Sequence, residues 1–116
     1  MGLTSHDFAR LAGKFALDKQ ARDIVILDLR ELATVTDYFV ICSGAADVHV
    51  KAIAENIKEG LAEVDQISWH VEGAAYGSWI LMDYVDFVVH IFLSESREYY
   101  GLERLWGDAP VERLEE

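Results

Sequence analysis

The chain has 116 residues, with 21 Asp and Glu against 10 Lys and Arg, a formal charge of −11. At roughly 100–200 residues per domain that length allows one domain, and a hydrophobic fraction of 52% is the reverse of the composition that keeps a chain disordered. So acidic a surface repels phosphate, which argues against free DNA as a partner and favours a basic protein. Cys42 is the only cysteine, which excludes an intrachain disulfide and a zinc site of paired thiolates. The amino terminus lacks the basic-then-apolar layout of a secretion signal, and no apolar run approaches the roughly 18 residues of a membrane span. The expectation is a cytoplasmic protein without membrane contact.

In chain order, a first helix is expected from about Thr4 to Lys19, with Phe8, Leu11, Ala12 and Phe15 at helical spacing. Thr4 and Asp7 have the spacing of a capping box. Asp23 to Leu29 is a β-branched run that reads as a buried strand. A break at Thr36-Asp37 precedes a second strand, Tyr38 to Cys42, which Gly44 ends. The helix from Asp47 to Val64 is the clearest element: Val50, Ile53, Ile57, Leu61 and Val64 form one stripe, and Lys51, Glu55, Lys58, Glu59 and Glu63 face outward. Gly60 costs that helix about 1 kcal/mol relative to Ala, so a close neighbour is expected there.

Ile67 to Val71, Ser78 to Asp83 and Asp86 to Leu93 read as three further strands, the last two joined at Tyr84-Val85. A final helix is expected from Ser94, its cap, to Trp106, with Tyr99, Leu102, Leu105 and Trp106 on one face. From about Asp108 the chain reads as an acidic tail. The order αββαβββα defines an α/β domain spanning residues 1–116, a mixed sheet of about five strands with helices covering one face.

The hairpin at Tyr84-Val85 carries most of the functional information. With its turn there, Asp83 faces Asp86, Leu81 faces Val88 and Trp79 faces His90. Ile80, Met82, Phe87, Val89 and Ile91 make one wholly apolar face, the core side. The other face reads Trp79, Leu81, Asp83, Asp86, Val88 and His90, apolar at its centre and doubly acidic at one end. A slip of one residue would invert the two faces.

Three readings of that second face stand side by side. Both carboxylates sit at a wet turn tip, where their repulsion is screened. Alternatively, they hold Mg²⁺ for phosphoryl transfer, although that ion is usually bound with substrate phosphates and no glycine-rich phosphate loop is present. In this second case His90, four residues and about 13 Å from Asp86, is too far to share the ion. The third reading is a docking face, with aromatic and aliphatic anchors inside an acidic rim. Elsewhere, His6, His49 and His70 are scattered and read as solvated or structural. Cys42 reads as buried and inert. Ser43-Gly44 precedes a helix as an anion site would, but Asp47 at the same end would repel an anion.

The segments LDLRELATVTDYFVICSG, HVKAIAENI, WILMDYVDFVVHIF and REYYGLERLW, with Trp79 six residues after Gly73, are together similar to the ribosomal silencing factor family (RsfS, also called Iojap). The resemblance runs from about Asp23 to Trp106. It implies a nucleotidyltransferase-like α/β fold without demonstrated transferase activity or cofactor, and usually a homodimer. It further implies binding to ribosomal protein fourteen of the large ribosomal subunit, which blocks joining of the small subunit and lowers translation when nutrients are short. The family motif falls on Trp79, Leu81, Asp83, Asp86, Val88, Val89, His90 and Phe92, so the implied partner-binding residues are mostly those of the second hairpin face.

This sequence departs from the family pattern at three places. Val85 stands where Gly is common, which disfavours a turn with positive φ. Ala46 replaces a usual Ser, leaving Asp47 or Ser43 to cap the second helix. Gly101 replaces a usual Asp and loosens the last helix. The resemblance favours a translation regulator acting by steric occlusion. The alternatives are a large-subunit assembly factor using the same face and a Mg-dependent nucleotidyltransferase using Asp83 and Asp86.

Overall fold

Helix α1 (Ser5–Asp18) begins where the sequence places it. Thr4 Oγ1 accepts from the Asp7 backbone N–H at 3.1 Å while the Asp7 carboxylate accepts from the Thr4 N–H at 2.9 Å. The two bonds satisfy orphan donors reciprocally, and they hold the Asp7 carboxyl below its ordinary pKa. The structure, a computed structural model, describes residues 2–115.

Strands β1 (Arg22–Asp28) and β2 (Tyr38–Gly44) follow, then helix α2 (Asp47–Ala62), the short β3 (His70–Glu72), β4 (Trp79–Asp83) and β5 (Phe87–Leu93). They form a mixed sheet with β6 (Val111–Leu114), in the order β3-β4-β5-β2-β1-β6. Among the described residues only β2 and β5 pair in parallel; the other four pairings are antiparallel. Among the described residues no helix is long and apolar enough to cross a membrane.

Alternation along the strands builds two apolar layers. Ile24, Ile26, Val40, Cys42, Ile80, Met82, Phe87, Val89 and Ile91 point to one side, where α1 and α2 cover them. All five residues assigned to the core side of the hairpin lie in this layer. The α2 stripe holds through Leu61, whereas Val64 lies beyond the helix and is exposed. Gly60 is the close approach expected: a Cβ there would stand 2.5 Å from the Phe15 ring of α1. Cys42 is fully buried, and burial pushes its thiol up to about 12.

The other side of the sheet is covered as well, contrary to the expectation of helices on one face. Val25, Leu27, Leu29, Ile41 and Phe92 form a second cluster with Ala109, and Leu102 and Trp106 pack on it. The expected final helix is broken into α3 (Ser94–Tyr100) and α4 (Leu102–Leu105). Gly101 at φ +61 separates them, and that left-handed conformation ends a helix rather than extending it. Ser94 does not cap α3; its hydroxyl donates to the Gly44 carbonyl at 3.1 Å.

Two further expectations change. The segment read as an acidic tail forms strand β6, paired antiparallel with β1 from Ile24↔Leu114 to Leu27↔Val111. Its Glu112 bonds His6 at 2.8 Å and Arg10 at 2.6 Å, tying the sheet edge to α1. At α2 the Ala46 cap position makes no side-chain bond. Asp47 Oδ1 takes the Val48 N–H at 2.9 Å, while Ser43 is occupied by Arg97.

Candidate docking face

The β4–β5 hairpin is shifted by two residues from the expected register. Trp79 pairs with Phe92, Leu81 with His90 and Asp83 with Val88. A two-residue slip keeps every side chain on its own face, whereas a one-residue slip would not. The turn lies one residue later, at Val85-Asp86. Tyr84 N–H donates to Phe87 O, and Asp86 N–H donates back to Tyr84 O, both at 2.9 Å. Val85, at the centre of that three-residue turn, takes φ +74 despite its β-branch. Asp83 Oδ1 holds the turn by accepting from the Val85 N–H at 2.7 Å.

Consequently Asp83 and Asp86 do not stand opposite each other. One oxygen of Asp83 is committed to the turn, and Asp86 projects at its exposed tip. That removes the facing carboxylate pair on which the Mg²⁺ reading rested. Among the described residues no group of three or more His, Cys, Asp or Glu is gathered to hold a metal ion.

The hairpin face is graded rather than uniformly open. Along β4 the pattern alternates, with Trp79, Leu81 and Asp83 half-buried and Ile80 and Met82 buried. Strand β5 lies between β4 and β2 and is covered on both sides, so Val88 and His90 are buried. Trp79 stacks on Phe92, with ring centroids 4.9 Å apart, and meets Tyr100 of α3 at 4.6 Å. Trp79 and Leu81 are therefore the apolar residues of this face that keep part of their surface accessible, with Asp83 and Asp86 at its acidic end.

His90 is held neutral and in one tautomer. The Trp79 indole N–H donates to His90 Nδ1 at 3.1 Å, and an indole only donates, so the ring proton sits on Nε2. Phe39 packs edge-on with centroids 4.5 Å apart, and burial pulls the imidazole pKa down to about 4. Among the described residues His90 Nε2 has no hydrogen-bond partner, and neither does Thr36 Oγ1. Both side chains line a groove of about 230 Å³ with Val35, Phe39, Leu81, Asp83 and Val88.

Sequence reading placed Leu81, Asp83, Val88 and His90 together on one hairpin face, without a groove, and did not bring Val35, Thr36 and Phe39 to them. Thr36 signalled only a strand break. Its role depends on the β1–β2 loop returning beside β5, where Asp37 N–H donates to Asp86 O at 3.0 Å. The remaining histidines are structural clips. His49 accepts from the Ala45 N–H at 2.9 Å and bonds the Lys19 carbonyl at 2.7 Å; His6 and His70 bond Glu112 and Glu72.

Together the fold and this face define a small α/β domain with an apolar, acid-edged surface patch. The family described as "Ribosomal silencing factor during starvation" matches residues 3–116. The chain is 42% identical over 106 residues to ribosomal silencing factor RsfS of Bacillus subtilis, covering 91% of this chain and 90% of that one. A crystal structure of a Chromobacterium violaceum protein superposes with a TM-score of 0.88 at 31% identity, covering 90% of this chain and 88% of that one. A more distant relative, the mitochondrial assembly of ribosomal large subunit protein 1 of Mus musculus, is 33% identical over 76% of this chain and 40% of its own length. The chain belongs to the ribosomal silencing factor family.

Proposed function

We propose that this chain binds the large ribosomal subunit through ribosomal protein fourteen and blocks joining of the small subunit, lowering translation under nutrient limitation. The observation that carries this reading is the pairing of family membership with a face that fits a basic protein. Trp79 and Leu81 are half-buried apolar groups beside Asp83 and Asp86, on a chain of net charge −11. Apolar anchors inside a charged rim are the anatomy of a protein interface. On this reading the regulator acts by occupancy, in the cytoplasm and as a homodimer. Trp69 and Tyr76, 76% and 84% exposed, are apolar surface that a second copy would cover.

The name of the Mus musculus relative favours a second reading, large-subunit assembly through the same face. Mixing purified chain with separated subunits distinguishes the two. Occlusion predicts fewer joined ribosomes from mature subunits, whereas an assembly role predicts an effect only on immature ones. The nucleotidyltransferase alternative is tested by melting with ATP and Mg²⁺, since any ligand of the native state raises the transition. The expected result is no shift.

A further inference from the structure

The groove beside Leu81 is walled mainly by apolar side chains, Val35, Phe39, Leu81 and Val88, with Asp83 among them. At about 230 Å³ it falls below the roughly 300–1,000 Å³ of clefts that enclose a small molecule. It has room for a single side chain. Its outer wall is Val35 of the β1–β2 loop, which is 79% exposed. A lone exposed valine is ordinary. This one continues the lining of a recess, beside half-buried Phe39 and Leu81, and covering such a patch is favourable.

Charge identifies what carries the incoming side chain. Residues 31–50 and 59–96 supply every wall of the groove, and neither stretch contains a Lys or Arg. Asp37 lies against the hairpin turn, its N–H donating to Asp86 O at 3.0 Å, so both residues stand close to Asp83. On the other side of Leu81, β3 places Glu72 opposite it. We propose that the groove takes one apolar side chain from a basic segment of a protein partner, with Val35 as its outer wall. Lysines or arginines flanking that side chain then face Asp37, Asp83 and Asp86. Nucleic acid would bring phosphate to this acidic rim, and a second copy would bring an identical acidic rim against it. The inference rests on the docking reading above and adds a receptor to its anchors. Trp79 and Leu81 press on the partner, while Val35 and Phe39 receive an anchor coming the other way, as paired hot spots do.

The test follows binding kinetics of the full chain to purified large ribosomal subunits across a salt series, for the parent, Val35→Ala and Val35→Ile. Val35 is mostly exposed, so all three should melt at the same temperature. The expected result is about fivefold faster dissociation for Val35→Ala, with Val35→Ile within about twofold of the parent. That ratio should hold at every salt concentration, because a lost apolar contact is not screened. Association should slow with salt equally for all three. Parent-like dissociation of Val35→Ala overturns the inference and leaves the docking reading intact. So does a difference that fades as salt rises, which would make the loop an electrostatic contact. A particle mass halved by Val35→Ala in light scattering makes the groove a contact between copies and overturns the basic partner. Binding of the parent to protein-free ribosomal RNA, weakened by Val35→Ala, overturns the protein occupant. Failure of the parent itself to bind large subunits overturns the docking reading and the inference together.

Discussion

Trp79 serves both the surface and the interior, and its substitution should show both. It stacks on Phe92 and bonds the His90 ring, while part of its surface remains open. Trp79→Ala is expected to weaken binding to large subunits by 2 kcal/mol or more, about thirtyfold, measured on protein shown to be folded. Parent-like affinity would remove this face from the interface. His90 sets a pH dependence of stability. Its folded pKa of about 4 lies below the ordinary 6.5, so the unfolded chain binds the extra proton. The stabilisation is complete above pH 6.5 and is lost as pH falls toward 4, on the order of 3 kcal/mol in all. Denaturant titrations from pH 7 to 4 should show a shallower fall for His90→Phe than for the parent; parallel curves would contradict the assignment. At this scale much was legible: a lone cysteine in an apolar strand is buried, and a helical glycine marks close packing. Thr36 was not, because its burial comes from the β1–β2 loop returning beside the β4–β5 turn, distant in sequence.

The hairpin and the carboxyl-terminal strand show where elements follow from local pattern and where they do not. Alternation assigned both hairpin faces correctly, yet the pairing slipped by two residues, since period two cannot distinguish registers of equal parity. Turn chemistry pointed the wrong way because Val85 adopts φ +74, which a β-branched residue resists. Val85→Gly should release that strain and stabilise the fold by about 0.5–1 kcal/mol net of unfolded-state entropy. Asp83→Ala, which strips the Val85 N–H of its acceptor, should destabilise by about 1 kcal/mol. Chemical denaturation reads both, and opposite signs would refute this account of the turn. Strand β6 was illegible for a different reason. Of its two partly covered residues, Glu112 and Leu114, only Leu114 is apolar, and Glu112 is satisfied by His6 and Arg10 of α1. The last helix misled through Gly101, which was weighed as a weak helix former when its left-handed conformation makes it a terminator.

For the whole molecule, charge and exposed apolar surface set behaviour. Light scattering at micromolar concentration should give about 26 kDa, twice the 13.1 kDa chain; a value near 13 kDa would contradict a dimer. Association with a basic partner should slow as salt rises, because a net charge of −11 steers the encounter. The α/β class, the two core helices and the apolar hairpin face were readable because each rests on a periodic stripe. The covering of the second sheet face was not, being assembled from short pieces after Gly101. The central claim is occlusion of subunit joining. It is tested most directly by sedimenting purified large and small ribosomal subunits at joining levels of magnesium, with and without an excess of the chain. The account predicts that the chain travels with the large subunit and that the joined-ribosome peak falls as free subunits rise. Undiminished joining with the chain bound to the large subunit would contradict it.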